Sequence, residues 1–194
     1  MNIAIRLMTI TVVCSALVGC VTPKPNMKHS MVSTKTVQVP ADKALVYFVR
    51  PNFLGFAVNA AVYDGDKFIG IVPYNQKLPY VTEPGTHTFM VISEAGDFMQ
   101  AELLAGKTYY AEVVPRMGAW RARFSLDPMT KAELATPNVR KQVDDAKLIE
   151  NNPGAYVWAD ENKSSVQEKK DAYWARWKEK EASQRPFLRA EDGQ

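Results

Sequence analysis

The chain has 194 residues, 46% of them hydrophobic and 23% charged, which suits one globular domain with appendages and excludes a charge-rich disordered chain. Its 24 Lys and Arg against 21 Asp and Glu leave a formal charge of only +3, so there is no electrostatic case for nucleic-acid binding or for polybasic attachment to a membrane. Both cysteines, Cys14 and Cys20, lie near the N-terminus, which removes internal disulfides and thiolate metal sites from everything after residue 20.

Residues 1–20 read MNIAIRLMTITVVCSALVGC. Arg6 supplies a positive start, and 7–18 is an uncharged, mostly apolar run too short to cross a bilayer comfortably. Leu17-Val18-Gly19-Cys20 then looks like the lipobox of bacterial lipoproteins. That resemblance implies a signal peptide over 1–19, cleavage between Gly19 and Cys20, and a diacylglyceryl group on the Cys20 sulfur. Two or three acyl chains anchor a protein stably where one is marginal. By the sorting rule of such lipoproteins, aspartate after the cysteine retains a protein in the inner membrane. Val21 stands there instead, so the expected address is the outer membrane, facing the periplasm.

Residues 20–40 carry three prolines and no sustained period, as in a lipidated tether; Val37 and Val39 are expected to begin a first strand. From 41 to 127 the pattern is that of a β domain. Residues 44–49 form a continuous apolar run, as in a strand covered on both faces, ending at Arg50-Pro51. Runs at 58–63 and 67–72 flank Asp64-Gly65-Asp66, a hairpin signal. Strands are further expected at 80–82, 86–93, 98–104 and 108–114, with turns at Glu83-Pro84-Gly85 and Ala105-Gly106-Lys107. Over 120–126, Trp120, Ala122, Phe124 and Leu126 alternate with Arg121, Arg123 and Ser125, placing the first set in the core and the arginines in solvent. About seven short strands predict a sandwich or a partly open barrel, a mainly β class.

Residues 128–194 are expected to be a helical C-terminal extension. Asp127-Pro128 and Thr136-Pro137 each resemble a helix start, and Val139, Val143 and Ala146 recur at helical spacing until Asn151-Asn152-Pro153-Gly154. Residues 155–163 read as irregular, 166–182 as a charged helix with Tyr173, Trp174 and Trp177, and the tail from Gln184 as frayed.

The order ALVYFVRP at 44–51, YDGDKFIG at 63–70, EPGTHTF at 83–89 and AGKTYY at 105–110 resembles an uncharacterised β-sandwich domain of bacterial lipoproteins. The Pro-Gly and Gly-Lys turns are similar to those of PEGA-type surface modules. The likeness covers 44–126 and implies fold and address; no activity comes with it.

The chemistry-bearing residues are few. His87 is the one histidine of the β domain, and no Ser-His-Asp or Cys-His set assembles around it, so a structural role is expected. Asp64 and Asp66 suit hairpin chemistry better than calcium, since the twelve-residue loop is missing. No glycine pattern fits a nucleotide site, and no cofactor or metal is expected. Arg50, Trp120, Arg121 and Arg123 read either as a patch for an anionic glycan or lipid headgroup or as a solvated face. Phe53, Leu54, Phe56 and Val58 read either as an exposed contact loop or as a loop folded over the core. Tyr173, Trp174 and Trp177 either pack on their own domain or meet a partner. The expected function is a non-enzymatic structural or protein-interaction module of the envelope, with a glycan- or headgroup-binding module as the alternative.

Overall fold

The computed structural model describes residues 29–117 and 123–194. Among them the chain is mainly β, in two sheets that do not close into a barrel, with helices toward the C-terminus. Residues 1–28, which include the expected signal peptide, Gly19 and Cys20, and residues 118–122, which include Trp120 and Arg121, lie outside the described residues.

The first sheet has six strands in the order β1-β10-β5-β2-β8-β9: β1 (Ser30–Val32), β10 (Lys147–Asn151), β5 (Gln76–Thr82), β2 (Ala44–Arg50), β8 (Thr108–Arg116) and β9 (Arg123–Pro128). The second has five in the order β11-β7-β6-β3-β4: β11 (Phe187–Leu188), β7 (Gly96–Leu103), β6 (Gly85–Ile92), β3 (Ala61–Asp64) and β4 (Lys67–Ile71). Their inner faces meet in one core built from Val46 and Phe48, Tyr109 and Val113, Leu126, Phe89 and Val91, and Met99 and Leu103. Phe48 and Phe89 touch edge to face across it, with centroids 5.2 Å apart.

Both outer faces are also covered. The short helices α1 (Lys131–Leu134) and α2 (Pro137–Asp145) lay Leu134 and Val143 on Val49, with Tyr47 and Tyr110 alongside. This is why 44–49 is apolar at every position: even-numbered residues face the core and odd-numbered ones face the helices. On the other side α3 (Pro153–Glu161) and α4 (Lys163–Glu179) cover Ala61, Tyr63, Met90, Ile92 and Phe98.

The hairpin at 64–67 forms as expected. Asp64 faces Lys67, and Gly65 takes φ +56°, a region that costs a side chain strain. Gly85 likewise takes φ +121° after Pro84.

Several expectations are corrected. No strand forms at Val37 or Val39. The sheet is joined earlier, where Ser30–Val32 pairs antiparallel with Lys147–Asn151, so part of the expected tether belongs to the folded body. Asp127-Pro128 ends β9 and starts no helix. The cap of α1 is Thr130, whose hydroxyl accepts from Glu133 N while the Glu133 carboxylate accepts from Thr130 N. Residues 147–151 form a strand in place of the end of a helix, because they fill the edge beside β5 and bury Ile149 in the core. Pro153 breaks nothing; it occupies the first turn of α3, where its missing N–H has no helical partner to lose. Residues 155–161 are therefore helical, and Asn162 separates α3 from α4.

Ser125, on the same side of β9 as Arg123, is buried. It accepts from Arg116 Nε at 2.8 Å and lies within reach of Asp127. The tail is not frayed either: Leu188 is fully buried, Gln194 exchanges both backbone hydrogen bonds with Thr108, and Asp192 accepts from Arg189 N. Replacing Leu188 with alanine is expected to cost about 2–5 kcal/mol in denaturant unfolding, whereas a frayed tail would give almost no change. The stretch after Asp127 thus adds a strand to each sheet as well as helices.

Candidate interaction site

The loop after β2 begins with a buried cation. Arg50 continues the inward-facing positions of β2, and its side chain is 0% exposed. Its guanidinium donates to the carbonyls of Val58 and Val72 at 3.0 Å each and to that of Gly55, and it lies 4.3 Å from the centroid of Phe124. Desolvation lowers its pKa to about 10, so it stays charged near neutrality. Arg50 is therefore no part of a surface patch; it is the clamp that closes loop 51–59.

The clamp presents aromatics outward. Backbone turns from Phe56 N to Phe53 O and from Val58 N to Gly55 O, with Asn52 Oδ1 accepting from Leu54 N, complete the loop. Phe53 stacks on Phe56 with centroids 4.7 Å apart and planes 12° apart, and Tyr74 meets Phe53 edge-on at 5.2 Å. Phe53 is 59% exposed and Phe56 46%, with Leu54 exposed beside them. Of the two readings of this loop, the exposed one holds: Phe53, Leu54 and Phe56 form an apolar ledge, and Val58 alone packs against the core. Tyr74 joins it from the turn before β5, where Asn75 N donates to Arg50 O; sequence reading missed it because no period marks that turn.

The aromatics of α4 are used internally. Trp177 is 2% exposed, stacks on Trp174 at 5.1 Å and lies 6.1 Å from Phe98, while Tyr173 and Trp174 are half-buried against the same face. Of the two readings of Tyr173, Trp174 and Trp177, packing on their own domain is the one found, because the outer face of β7 needs this cover.

A polar cleft of about 430 Å³ opens between the start of β7, the outer face of β9 and the end of α4. Arg116, Arg123 and Lys180 line it with Asp97 and Asp127. Arg116 donates to Asp127 at 2.8 Å and Lys180 sits 3.3 Å from Asp97, whose carboxyl burial pushes up. Arg123, half-buried, keeps its Nε sealed without an acceptor among the described residues. Sequence reading found Arg123 and missed Arg116, although the β8–β9 register sets the two opposite each other.

His87 has a structural setting. Nδ1 lies 2.7 Å from Asp64 Oδ2 and Nε2 lies 2.9 Å from the Glu83 carbonyl, while the ring stacks on Phe89. Both neighbours carry acceptor oxygens, an arrangement that favours the doubly protonated ring. Nε2, which a catalytic triad would point at a hydroxyl, is spent on a backbone carbonyl. Asp64 also accepts from Tyr80 at 3.0 Å, and Asp66 pairs with Lys170.

The His87 pKa is raised, first by the hydrogen bond to Asp64, from an ordinary value of 6.5. A raised pKa makes the contribution complete below the unfolded value and removes it as pH climbs through the folded value. His87→Gln is thus expected to cost more at about pH 5.5 than at about pH 8.5. Urea unfolding of both proteins at the two pH values checks this; an equal cost at both would contradict it.

No family model, no curated protein and no solved structure matches this chain. The surfaces are therefore read from their own geometry.

Proposed function

We propose that this chain is a lipid-anchored module of a bacterial cell envelope, held to the outer membrane by acyl groups on Cys20 and acting without catalysis by docking another envelope protein on the ledge of Phe53, Leu54, Phe56 and Tyr74. The address rests on the ordered run of Arg6, the apolar segment and Leu17-Val18-Gly19-Cys20. From Cys20 to His29 the chain reaches at most about 30 Å fully extended, which keeps the β body close to the membrane surface.

The ledge carries the docking reading. Its rings are held by a buried arginine, so little conformational entropy remains to be lost on association. Rigid aromatics are the usual anchors of an interface core. Residues 51–59 include no Lys or Arg, so nothing there attracts anionic lipid, which favours a protein over the membrane as occupant.

A photoreactive residue at position 53 of the acylated, full-length protein tests this in intact membranes. The expected result is one discrete protein adduct, lost when Phe56→Ser and Tyr74→Ser are added and missing when the photoreactive residue stands at position 187. Adducts with lipid alone, or the same adduct from position 187, would overturn it.

The cleft of Arg116, Arg123 and Lys180 favours a second reading, a module for an anionic glycan or lipid headgroup. Glycerol phosphate and a muramyl peptide are the ligands to titrate. Binding weakened by Arg116→Glu and untouched by Phe53→Ser supports that reading.

A further inference from the structure

His29 is fixed to the start of α3. Its carbonyl accepts from Asn152 N at 3.2 Å, its Nδ1 lies 3.1 Å from the Gly154 carbonyl oxygen, and its ring centroid is 6.3 Å from that of Trp158. Nine residues separate Cys20 from His29, so the sulfur of Cys20 stays within about 30 Å of this end of α3.

The outward side of α3 is apolar at the same end. Ala155 is buried and Trp158 half-buried against the body, so Pro153, Tyr156, Val157 and Asp160 share the opposite face at the spacing i, i+3, i+4 and i+7. Tyr156 is 59% exposed and Val157 56%. Tyr156 is held in place as well, since its ring meets Phe68 edge-on at 6.0 Å. The exposed face of α4 has the same spacing and reads Ser164, Gln167, Glu168 and Asp171, as a solvated helix face should. α3 departs from that rule in the half nearest His29 and returns to it at Asp160 and Glu161. Met31 and Val32, just after His29, are exposed too.

We infer that the N-terminal half of α3, through Pro153, Tyr156 and Val157, is the face on which the β body rests against a lipid bilayer, an inference that builds on the acyl anchor proposed at Cys20. A tyrosine ring with its phenol suits the boundary between acyl chains and headgroups. Three side chains would not recruit a protein from solution. The anchor already supplies the proximity, so they only select one orientation among those the tether permits. For the same reason the face needs no Lys or Arg, and the two carboxylates at the far end of the helix stay in water.

Spin labels read lipid contact at single positions. Val157→Cys and Phe187→Cys each receive a nitroxide in full-length protein extracted from membranes and reconstituted in phosphatidylcholine vesicles. Phe187 lies in β11, at the opposite edge of the second sheet from β4, which carries Phe68; four strand spacings, about 19 Å, separate the two edges. At 157, oxygen, which partitions into lipid, should relax the spin more than a water-soluble nickel chelate does. At 187 the order should be reversed. A stronger effect of nickel at 157, or of oxygen at both positions, would overturn the orientation and leave the anchor standing. More than one spin per chain would reveal a free cysteine thiol and overturn the anchor and the orientation together.

Discussion

Replacing Arg50 with methionine is expected to lower the free energy of unfolding by about 3–5 kcal/mol, a large share of what a domain of this size has to lose. Methionine fills the space along the strand but donates nothing. The Val72 carbonyl would be left unpaired in the interior and those of Gly55 and Val58 unpaired in half-buried positions, at a cost of up to about 1–3 kcal/mol each. Relief of the buried guanidinium's own desolvation, visible in its lowered pKa, returns part of that sum. Arg50→Lys should recover little, because one ammonium on a flexible stem cannot span three carbonyls that a planar fork reaches together. Urea unfolding with an unchanged m-value measures the loss; a loss under about 1 kcal/mol would contradict the clamp. The same substitution should release loop 51–59 and remove the adduct from position 53, so a fold-level defect would register as a functional one.

Trp177→Ala is expected to cost about 3–5 kcal/mol, the range for deleting a large buried aromatic. The indole is enclosed by Trp174 and Phe98, and the Arg185 guanidinium lies 5.4 Å from its centroid. Its Nε1 is buried without an acceptor among the described residues, so Trp177→Phe should be much milder, under about 1.5 kcal/mol. Near-ultraviolet circular dichroism would follow the loss of the Trp174 stack in the alanine variant. A cost below about 1 kcal/mol would mean that α4 does not rely on this face and would reopen it as a partner surface.

The central strands were legible because their signals are local. β2 is apolar from Ala44 to Val49 since helices cover the face that the core does not, and β3 and β4 are joined by a glycine at a positive φ. Phe124 and Leu126 in β9 alternate as half-buried strands do. What escaped notice depends on distant partners. Lys147–Asn151 has one core residue, Ile149, and becomes a strand only because β5 offers an edge. Ser30–Val32 and Phe187–Leu188 are likewise recruited by edges far away in sequence. β5 runs through Pro79 because its pairing with β10 ends at Lys77, so beyond that point no β10 residue needs a donor from β5.

Some errors were avoidable. Thr130 and Glu133 carry the capping-box spacing that Asp127-Pro128 lacks, and Asn152-Pro153 carries the same start signature that was read correctly at Thr136-Pro137. The candidate surfaces divide in the same way. Phe53 and Phe56 could be picked out as large apolar residues in a loop, but not their exposure, which depends on Arg50 reaching three carbonyls. Arg50 itself was taken for a surface charge because a basic residue inside a core is rare without partners, and its partners are backbone atoms that leave no trace in side-chain pattern.

Mass spectrometry of the N-terminal peptide from protein extracted out of native membranes tests the proposed anchor most directly. The expected peptide begins at Cys20 and carries the added mass of a thioether-linked diacylglyceryl group, with or without an amide-linked acyl chain. A peptide that retains residues 1–19, or one that starts at Cys20 with a free thiol, would contradict it.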